Sequence, residues 1–216
     1  MRLVFLGLPG AGKGTQAQLV AERQGSAPIS TGDILREHVQ EGSRLGIRAR
    51  AFMDRGEYVP DDLVVDMVID RLEEPDAEKG FILDGFPRTV PQALALESAL
   101  ERTDRPLSAV LRFSISDATA VRRIVGRFTC PVCKRTYHEE FKRPANDLVC
   151  DVDGAGLEKR SDEDELTVQR RLAIYREQTA PLERFYEERG LLLVIDAEES
   201  VDVVTQRTFA AIEDLA

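Results

Sequence analysis

Nine residues near the start of the chain have the types and spacing to hold a phosphate chain: Gly7-Leu8-Pro9-Gly10-Ala11-Gly12-Lys13-Gly14-Thr15. They follow an apolar run, Leu3-Val4-Phe5-Leu6, and open a helical pattern over Gly14–Gln24. In a strand–loop–helix context, backbone N–H groups converge on phosphate oxygens and the helix adds its positive end. Glycine is needed where a side chain would block that approach or where φ is positive. Lys13 can reach the outer phosphates as a mobile point charge. The chain otherwise favours arginine; its only other lysines are Lys79, Lys134, Lys142 and Lys159. A lysine here suits a place that a planar guanidinium would overfill. The competing reading is a glycine-rich turn with a chance lysine, which does not explain the length of the pattern or its context.

A second constellation reads as a metal site. Cys130, Cys133, Cys150 and Asp153 form C-x2-C-x16-C-x2-D. Two short-spaced ligand pairs, separated by a hairpin-sized segment, suit a closed tetrahedral Zn²⁺ site. Asp153 is preferred to Asp151 because it keeps the two-residue spacing of a knuckle. Four protein ligands leave no open position for water, so such a metal is structural. The alternatives are three free thiols, or one disulfide and a thiol; an odd cysteine count argues against a disulfide framework. Asp84 ends a third apolar run, Phe81-Ile82-Leu83. Its carboxylate could orient Mg²⁺ through water, or it could be a turn aspartate before Gly85.

The elements that must position these groups alternate. Strands are expected at Leu3–Leu6, Pro28–Ser30, Phe81–Leu83, Ala109–Phe113 and Leu191–Ile195. Helices are expected at Gly14–Gln24, Asp33–Glu41, Asp61–Leu72, Pro91–Arg102, Asp117–Val125, Glu165–Arg189 and Val201–Leu215. Short apolar strands between helices predict an α/β fold with a parallel sheet covered on both faces. Thr89 and Ser116 read as N-caps. Residues 31–60 and 127–164 break the rhythm and read as inserts. The acidic run Ser161–Glu165 reads most simply as a helix start favoured by the macrodipole.

The formal net charge is -10, with 43% hydrophobic and 31% charged residues among 216. Such an acidic chain is a poor general partner for nucleic acid or anionic lipid. The longest apolar run, Leu191–Ile195, is too short to cross a bilayer, and no cleavage site follows the first strand. A cytoplasmic protein is the expectation.

The phosphate loop, with glycine between Lys13 and Thr15, resembles that of adenylate kinases. Other blocks agree in order: Ser30-Thr31-Gly32-Asp33-Ile34-Leu35-Arg36, then Asp84-Gly85-Phe86-Pro87-Arg88-Thr89 with Gln92. Arg123-Ile124-Val125-Gly126-Arg127 follows, and then Tyr175 with Thr179-Ala180-Pro181-Leu182. The resemblance covers residues 1–195, and the metal ligands are those of the zinc-lid bacterial type. It implies a P-loop NTPase-like five-stranded parallel sheet flanked by helices. The core would be residues 1–30, 61–126 and 165–216, the helical AMP-binding insert 31–60 and the zinc lid 127–164. It implies reversible, Mg²⁺-dependent phosphoryl transfer from ATP to AMP giving two ADP, by a monomer that balances adenine nucleotides.

Residue by residue, the resemblance puts Gly10, Ala11, Gly12, Lys13, Gly14, Thr15, Arg123, Arg127, Thr136, Tyr137 and Glu199 around ATP. It puts Thr31, Arg36, Glu57, Tyr58, Val59, Gly85, Phe86, Pro87, Arg88 and Gln92 around AMP, with Arg160 and Arg171 bridging both. Lys13, Arg88, Arg127, Arg160 and Arg171 would carry the transfer. Guanidinium forks bind phosphate bidentately, and two polyanions on an acidic protein need such a local cation set. No catalytic base is needed, because the attacking oxygen of AMP is already anionic. His38 is expected at the surface and His138 in a structural role. The sequence departs from the family pattern at Glu163, where a second Asp is usual after Arg160, and at Ala197, where Gly is usual. Neither is expected to touch phosphate chemistry. Two other readings remain: a related monophosphate kinase using another base, and a nucleotide-dependent switch with a zinc knuckle.

Overall fold

The computed structural model describes residues 1–160, 162–213 and 215. The chain runs through β1 (Arg2–Gly7), α1 (Lys13–Gln24), β2 (Ala27–Ser30), α2 (Thr31–Glu41), α3 (Arg44–Met53) and α4 (Asp61–Leu72). It continues through β3 (Phe81–Asp84), α5 (Val90–Arg102), β4 (Ala109–Ser114) and α6 (Asp117–Val125). Then come β5 (Arg127–Thr129), β6 (Thr136–His138), α7 (Glu165–Ile174), α8 (Pro181–Glu187), β7 (Leu192–Asp196) and α9 (Val201–Glu213).

Five strands form one parallel sheet in the order β2-β3-β1-β4-β7. Alternation along β1 explains why its sequence is apolar without a break. Val4 and Leu6 face one apolar layer with Val68 of α4, Leu96 of α5 and Leu182 of α8. Leu3 and Phe5 face the other, with Val20 of α1 and Val204 and Ile212 of α9. Both faces of a parallel sheet are covered, so both side-chain sets must be apolar. Thr89 and Ser116 cap their helices as expected, accepting from Gln92 N and Thr119 N.

The chain leaves β1 toward β2 on one side, and leaves β3 toward β4 on the other. The loops after β1 and β3 therefore part at the carboxyl edge of the sheet, the place where such folds open a crevice. Phe5 stands level with Asp84 in the paired strands, which brings the loop after β1 beside Asp84.

Three sequence expectations are corrected. The helix expected over Glu165–Arg189 is broken. Ala180 N donates to Tyr175 O at 2.8 Å, making a π turn over Tyr175–Thr179 before α8 restarts at Pro181. Proline lacks the N–H that a continuing helix needs and crowds the preceding turn, and the wider turn absorbs it. The acidic run is not simply a solvated helix start. Asp164 caps α7, but Glu163 is buried and Asp162 half-buried against arginines; Ser161 lies outside the described residues. His38 is half-buried, its Nδ1 against Ser43 Oγ at 2.9 Å.

Residues between β5 and α7 fold on their own small apolar cluster of Cys130, Tyr137, Cys150 and Leu157, with β5 and β6 antiparallel. His138 Nδ1 accepts from Glu140 N and Phe141 N, so Nε2 carries the proton donated to Arg122 O. That pins this segment to the end of α6, a structural role as expected.

Candidate active site

The loop after β1 closes tightly enough to aim its amides outward. Ala11 N donates to Leu8 O at 3.1 Å, and Gly10 has φ +83 with a hypothetical Cβ only 2.7 Å from Ala120 O. No side chain fits there. At Gly14 a Cβ would meet Asp84 Oδ2 at 3.2 Å. The glycine that distinguishes this loop thus lets the Asp84 carboxylate lie against the start of α1. An oxygen-only carboxylate donor at that point suits a hydrated Mg²⁺.

Lys13 Nζ donates to Gly7 O at 2.8 Å and to Leu8 O at 3.0 Å. Its pKa is pulled down to about 8. Loss of water is the main cause; Arg88, Arg171 and Arg127 push the same way and Asp84 opposes them. A lysine held like this gains strongly from an arriving polyanion.

Lys13, Arg36, Arg88, Arg123, Arg127, Arg160 and Arg171 all line one cleft of about 920 Å³, together with Gly10–Thr15 and Asp84. Most are held by carboxylates. Arg36 pairs with Asp33 at 2.5 Å and Arg171 with Asp162 at 2.9 Å. Arg127 pairs with Glu163, and Arg160 lies 3.8 Å from both Asp33 and Glu163. Burial works against the Asp33 carboxylate, but Arg36 and Ser30 outweigh it and hold its pKa below the usual range. Burial, with Arg36 and Arg127 as neighbours, lowers Arg160 to about 10. This is a site with more positive charge than its own acids relieve.

Arg88 is held differently. Its Nε donates to Gly85 O at 2.7 Å and its guanidinium lies 4.8 Å from the Tyr58 ring centre. Arg123 donates to Ala197 O, Glu198 O and Glu199 O at 2.9–3.1 Å, so it ties α6 to the loop after β7.

Other expected positions also reach the cleft. Thr31, Glu57, Tyr58, Val59, Gly85, Pro87 and Gln92 line it, as do Thr136, Tyr137 and Glu199. Thr31 Oγ1 donates to Gly85 O at 2.9 Å. Phe86 does not line it: its side chain is buried in the apolar layer beneath. Tyr137 keeps its hydroxyl inside its own segment, 2.9 Å from Asp151 N.

The four residues expected to hold a metal come together. The donor atoms of Cys130, Cys133, Cys150 and Asp153 all lie within 4.8 Å of one another. Cys133 and Cys150 sulfurs are 3.5 Å apart, and Cys130 Sγ is 3.2 Å from Asp153 Oδ2. Thiolates bound at about 2.3 Å to a tetrahedral ion stand about 3.8 Å apart, so the set fits Zn²⁺. All three cysteines are free. Asp151 is otherwise engaged, accepting from Ala145 N at 2.8 Å.

Four site residues escape the sequence reading. Asp33 could be found, since it stands three residues before Arg36 on one helix face. Glu163 sits in the acidic run and pairs with Arg127 of the cleft, a contact its place in that run does not announce. Asp61 has no local signal, and Thr179 stands in a family-like block that does not reveal its role, because the partners of both are distant in sequence. Thr179 Oγ1 donates to Arg88 O at 2.8 Å. Tyr58 OH lies 2.8 Å from Thr179 Oγ1, whose one proton is already given to Arg88 O, so Tyr58 is the donor to Thr179.

Residues 5–191 match the family model described as adenylate kinase. Similar proteins include the adenylate kinase of Methanocella arvoryzae, 44% identical over 216 residues and 100% of both chains. That of Archaeoglobus fulgidus is 44% identical over 215 residues, covering 100% of this chain and 99% of its own. That of Salinispora tropica is 47% identical over 212 residues, 98% of each.

Proposed function

The chain belongs to the adenylate kinase family, and from that premise we propose how its cleft works. It is a nucleoside monophosphate kinase, moving a phosphoryl group reversibly between ATP and AMP to give two ADP. The observation that carries the reading of the site is the meeting of seven cations, drawn from six stretches of the sequence, in one cleft on a chain of net charge -10.

In this reading the loop amides of Gly10–Thr15 and Lys13 hold the ATP phosphates, and Arg123, Thr136, Tyr137 and Glu199 bound the rest of that nucleotide. Thr31, Arg36, Glu57, Tyr58, Val59, Gly85, Pro87, Arg88 and Gln92 hold AMP. Arg127, Arg160 and Arg171 face the phosphates being joined. A phosphate oxygen of AMP forms the new bond to the γ-phosphorus as the bond to the ADP oxygen breaks. Both ends are anionic, so no side chain needs to take a proton. The protein contributes alignment and neutralisation of charge on the equatorial oxygens. Asp84 would hold Mg²⁺ through water; when bound, the ion neutralises charge on the ATP phosphates.

The chain divides, on this proposal, into a core (1–30, 61–126, 165–216), an AMP insert (31–60) and a lid (127–164). Cys130, Cys133, Cys150 and Asp153 clamp the lid with Zn²⁺, outside the chemistry. We further read the protein as a cytoplasmic monomer with no nucleic-acid or membrane partner. Its acidity supports this, and no described helix is long and apolar enough to cross a membrane. Purified protein supplied with ATP, Mg²⁺ and AMP should form ADP in a coupled assay. Folded protein that binds both nucleotides but yields no ADP would refute the proposal.

A further inference from the structure

Gln92 lines the cleft although it is only 1% exposed, and both ends of its amide are fixed. The Arg88 backbone N–H lies 2.7 Å from one end. An N–H only donates, so that end is Oε1. Asp61 Oδ1 lies 2.7 Å from the other end. A carboxylate oxygen only accepts, so that end is Nε2. The other Asp61 oxygen accepts from Thr89 Oγ1 at 2.7 Å, and Thr89 Oγ1 accepts from Gln92 N at 3.3 Å. Turning the amide over would set N–H against N–H at one end and oxygen against oxygen at the other. Asp61 itself does not line the cleft; it stands behind Gln92.

We propose that Asp61 is a positioning residue that sets base specificity: it locks the polarity of Gln92, so that the acceptor site takes a 6-aminopurine and refuses a 6-oxopurine. The inference rests on reading this end of the cleft as the AMP site. The locked amide has one N–H and one oxygen lone pair left. Adenine offers N1 as acceptor and its 6-amino group as donor, which match both. A 6-oxopurine offers N1–H and O6, reversed at both positions. An amide free to turn would serve either purine. A locked one leaves the wrong base facing like groups, in a buried place where unpaired polar groups are costly.

The test uses Asp61→Leu, which removes the acceptor at similar volume, and Asp61→Asn, which keeps an oxygen available to Gln92. Rates are measured with AMP and with IMP at saturating ATP. The Leu variant should raise KM for AMP roughly tenfold with kcat and KM for ATP within about twofold. Its preference for AMP over IMP in kcat/KM should fall by roughly tenfold or more, with the Asn variant between it and wild type. A purely structural role would weaken both acceptors alike and leave that ratio unchanged, which overturns the assignment. If the Leu variant fails to fold, the Asn variant decides in the same way: a narrowed ratio supports the lock and an unchanged one overturns it. A wild-type protein without AMP activity would overturn the cleft reading and the lock with it. An active wild type whose variants keep its preference overturns the lock alone.

Discussion

Lys13 concentrates the physics of the site in one atom. Its ammonium sits under the phosphate loop, deprived of water and surrounded by arginines, so its pKa falls from 10.5 to about 8. Holding it charged at neutral pH therefore costs folding stability. The unfolded chain binds the proton more tightly between pH 8 and 10.5, so the contribution of Lys13 to stability rises with pH across that window and is lost as pH falls through 8. Lys13→Met should lose about 10²–10³-fold in kcat, the scale of removing a donor aimed at developing charge. It should not lower the melting temperature at pH 7, and the difference in stability from wild type should shift between pH 8 and 10.5. Bound phosphates should restore the proton, so titration calorimetry at pH 8.5 in buffers of different ionisation enthalpy should register proton uptake with ATP in wild type and none in the variant. A variant that keeps its turnover, or a wild type that takes up no proton, contradicts this account of the residue. Lys13 was legible because its neighbours in sequence are its neighbours in space. The carboxylates that hold the arginines were less so: Asp33 lies one turn from Arg36, whereas Glu163 reaches Arg127 across 36 positions.

At the scale of elements, the sheet was readable because burial on both faces leaves uninterrupted apolar runs; the five expected strands match the observed ones to within one residue at either end. The break in the long helix before β7 was not readable from periodicity, since a π turn shifts the apolar stripe without interrupting it. That turn is where Thr179 meets Arg88 in the cleft. Its hydroxyl gives its one proton to Arg88 O and receives that of Tyr58, whose ring lies beside the Arg88 guanidinium. One buried oxygen thus holds both the main chain of Arg88 and the ring beside its charge. Thr179→Val keeps the shape and deletes the oxygen, leaving two half-buried partners without it, at a cost of about 1 kcal/mol or somewhat more. The expected outcome is a lower melting temperature and a rise in KM for AMP of roughly tenfold, with KM for ATP unchanged. Thr179→Ser should recover both, because it restores the hydroxyl, and Tyr58→Phe should be milder because it removes a single bond. Equal loss toward ATP and AMP would point to general destabilisation instead of positioning.

For the molecule as a whole, the distribution of apolar residues sets which parts can stand alone. The sheet and its helices have two large apolar layers. The segment between β5 and α7 has a cluster of four buried residues, two of which are cysteines of the metal set. Such a cluster is too small to fold a unit by itself, so the metal must supply what the core cannot. In the lid we propose, clamping by Zn²⁺ keeps Thr136, Arg127 and Arg160 moving together over the nucleotide, which shields the transfer from water. Stability and catalysis should then respond unequally to loss of one ligand. Cys130→Ser should drop bound zinc from about one equivalent toward none and lower the melting temperature by about 5–10 °C, the shift expected for a few kcal/mol in a chain of this size. Turnover at 25 °C should fall less than tenfold, because Lys13, Arg88 and Arg171, which line the cleft from outside the lid segment, would on the proposed reading still hold the reacting phosphates. Hydrogen exchange should localise the loss: amides of β5, β6 and the Cys150–Gly156 stretch should lose protection while those of β1 and β3 keep it. An unchanged midpoint with unchanged metal content would show that these four residues do not clamp the lid. A collapse of the central strands along with it would show that the lid is not a separate unit of stability.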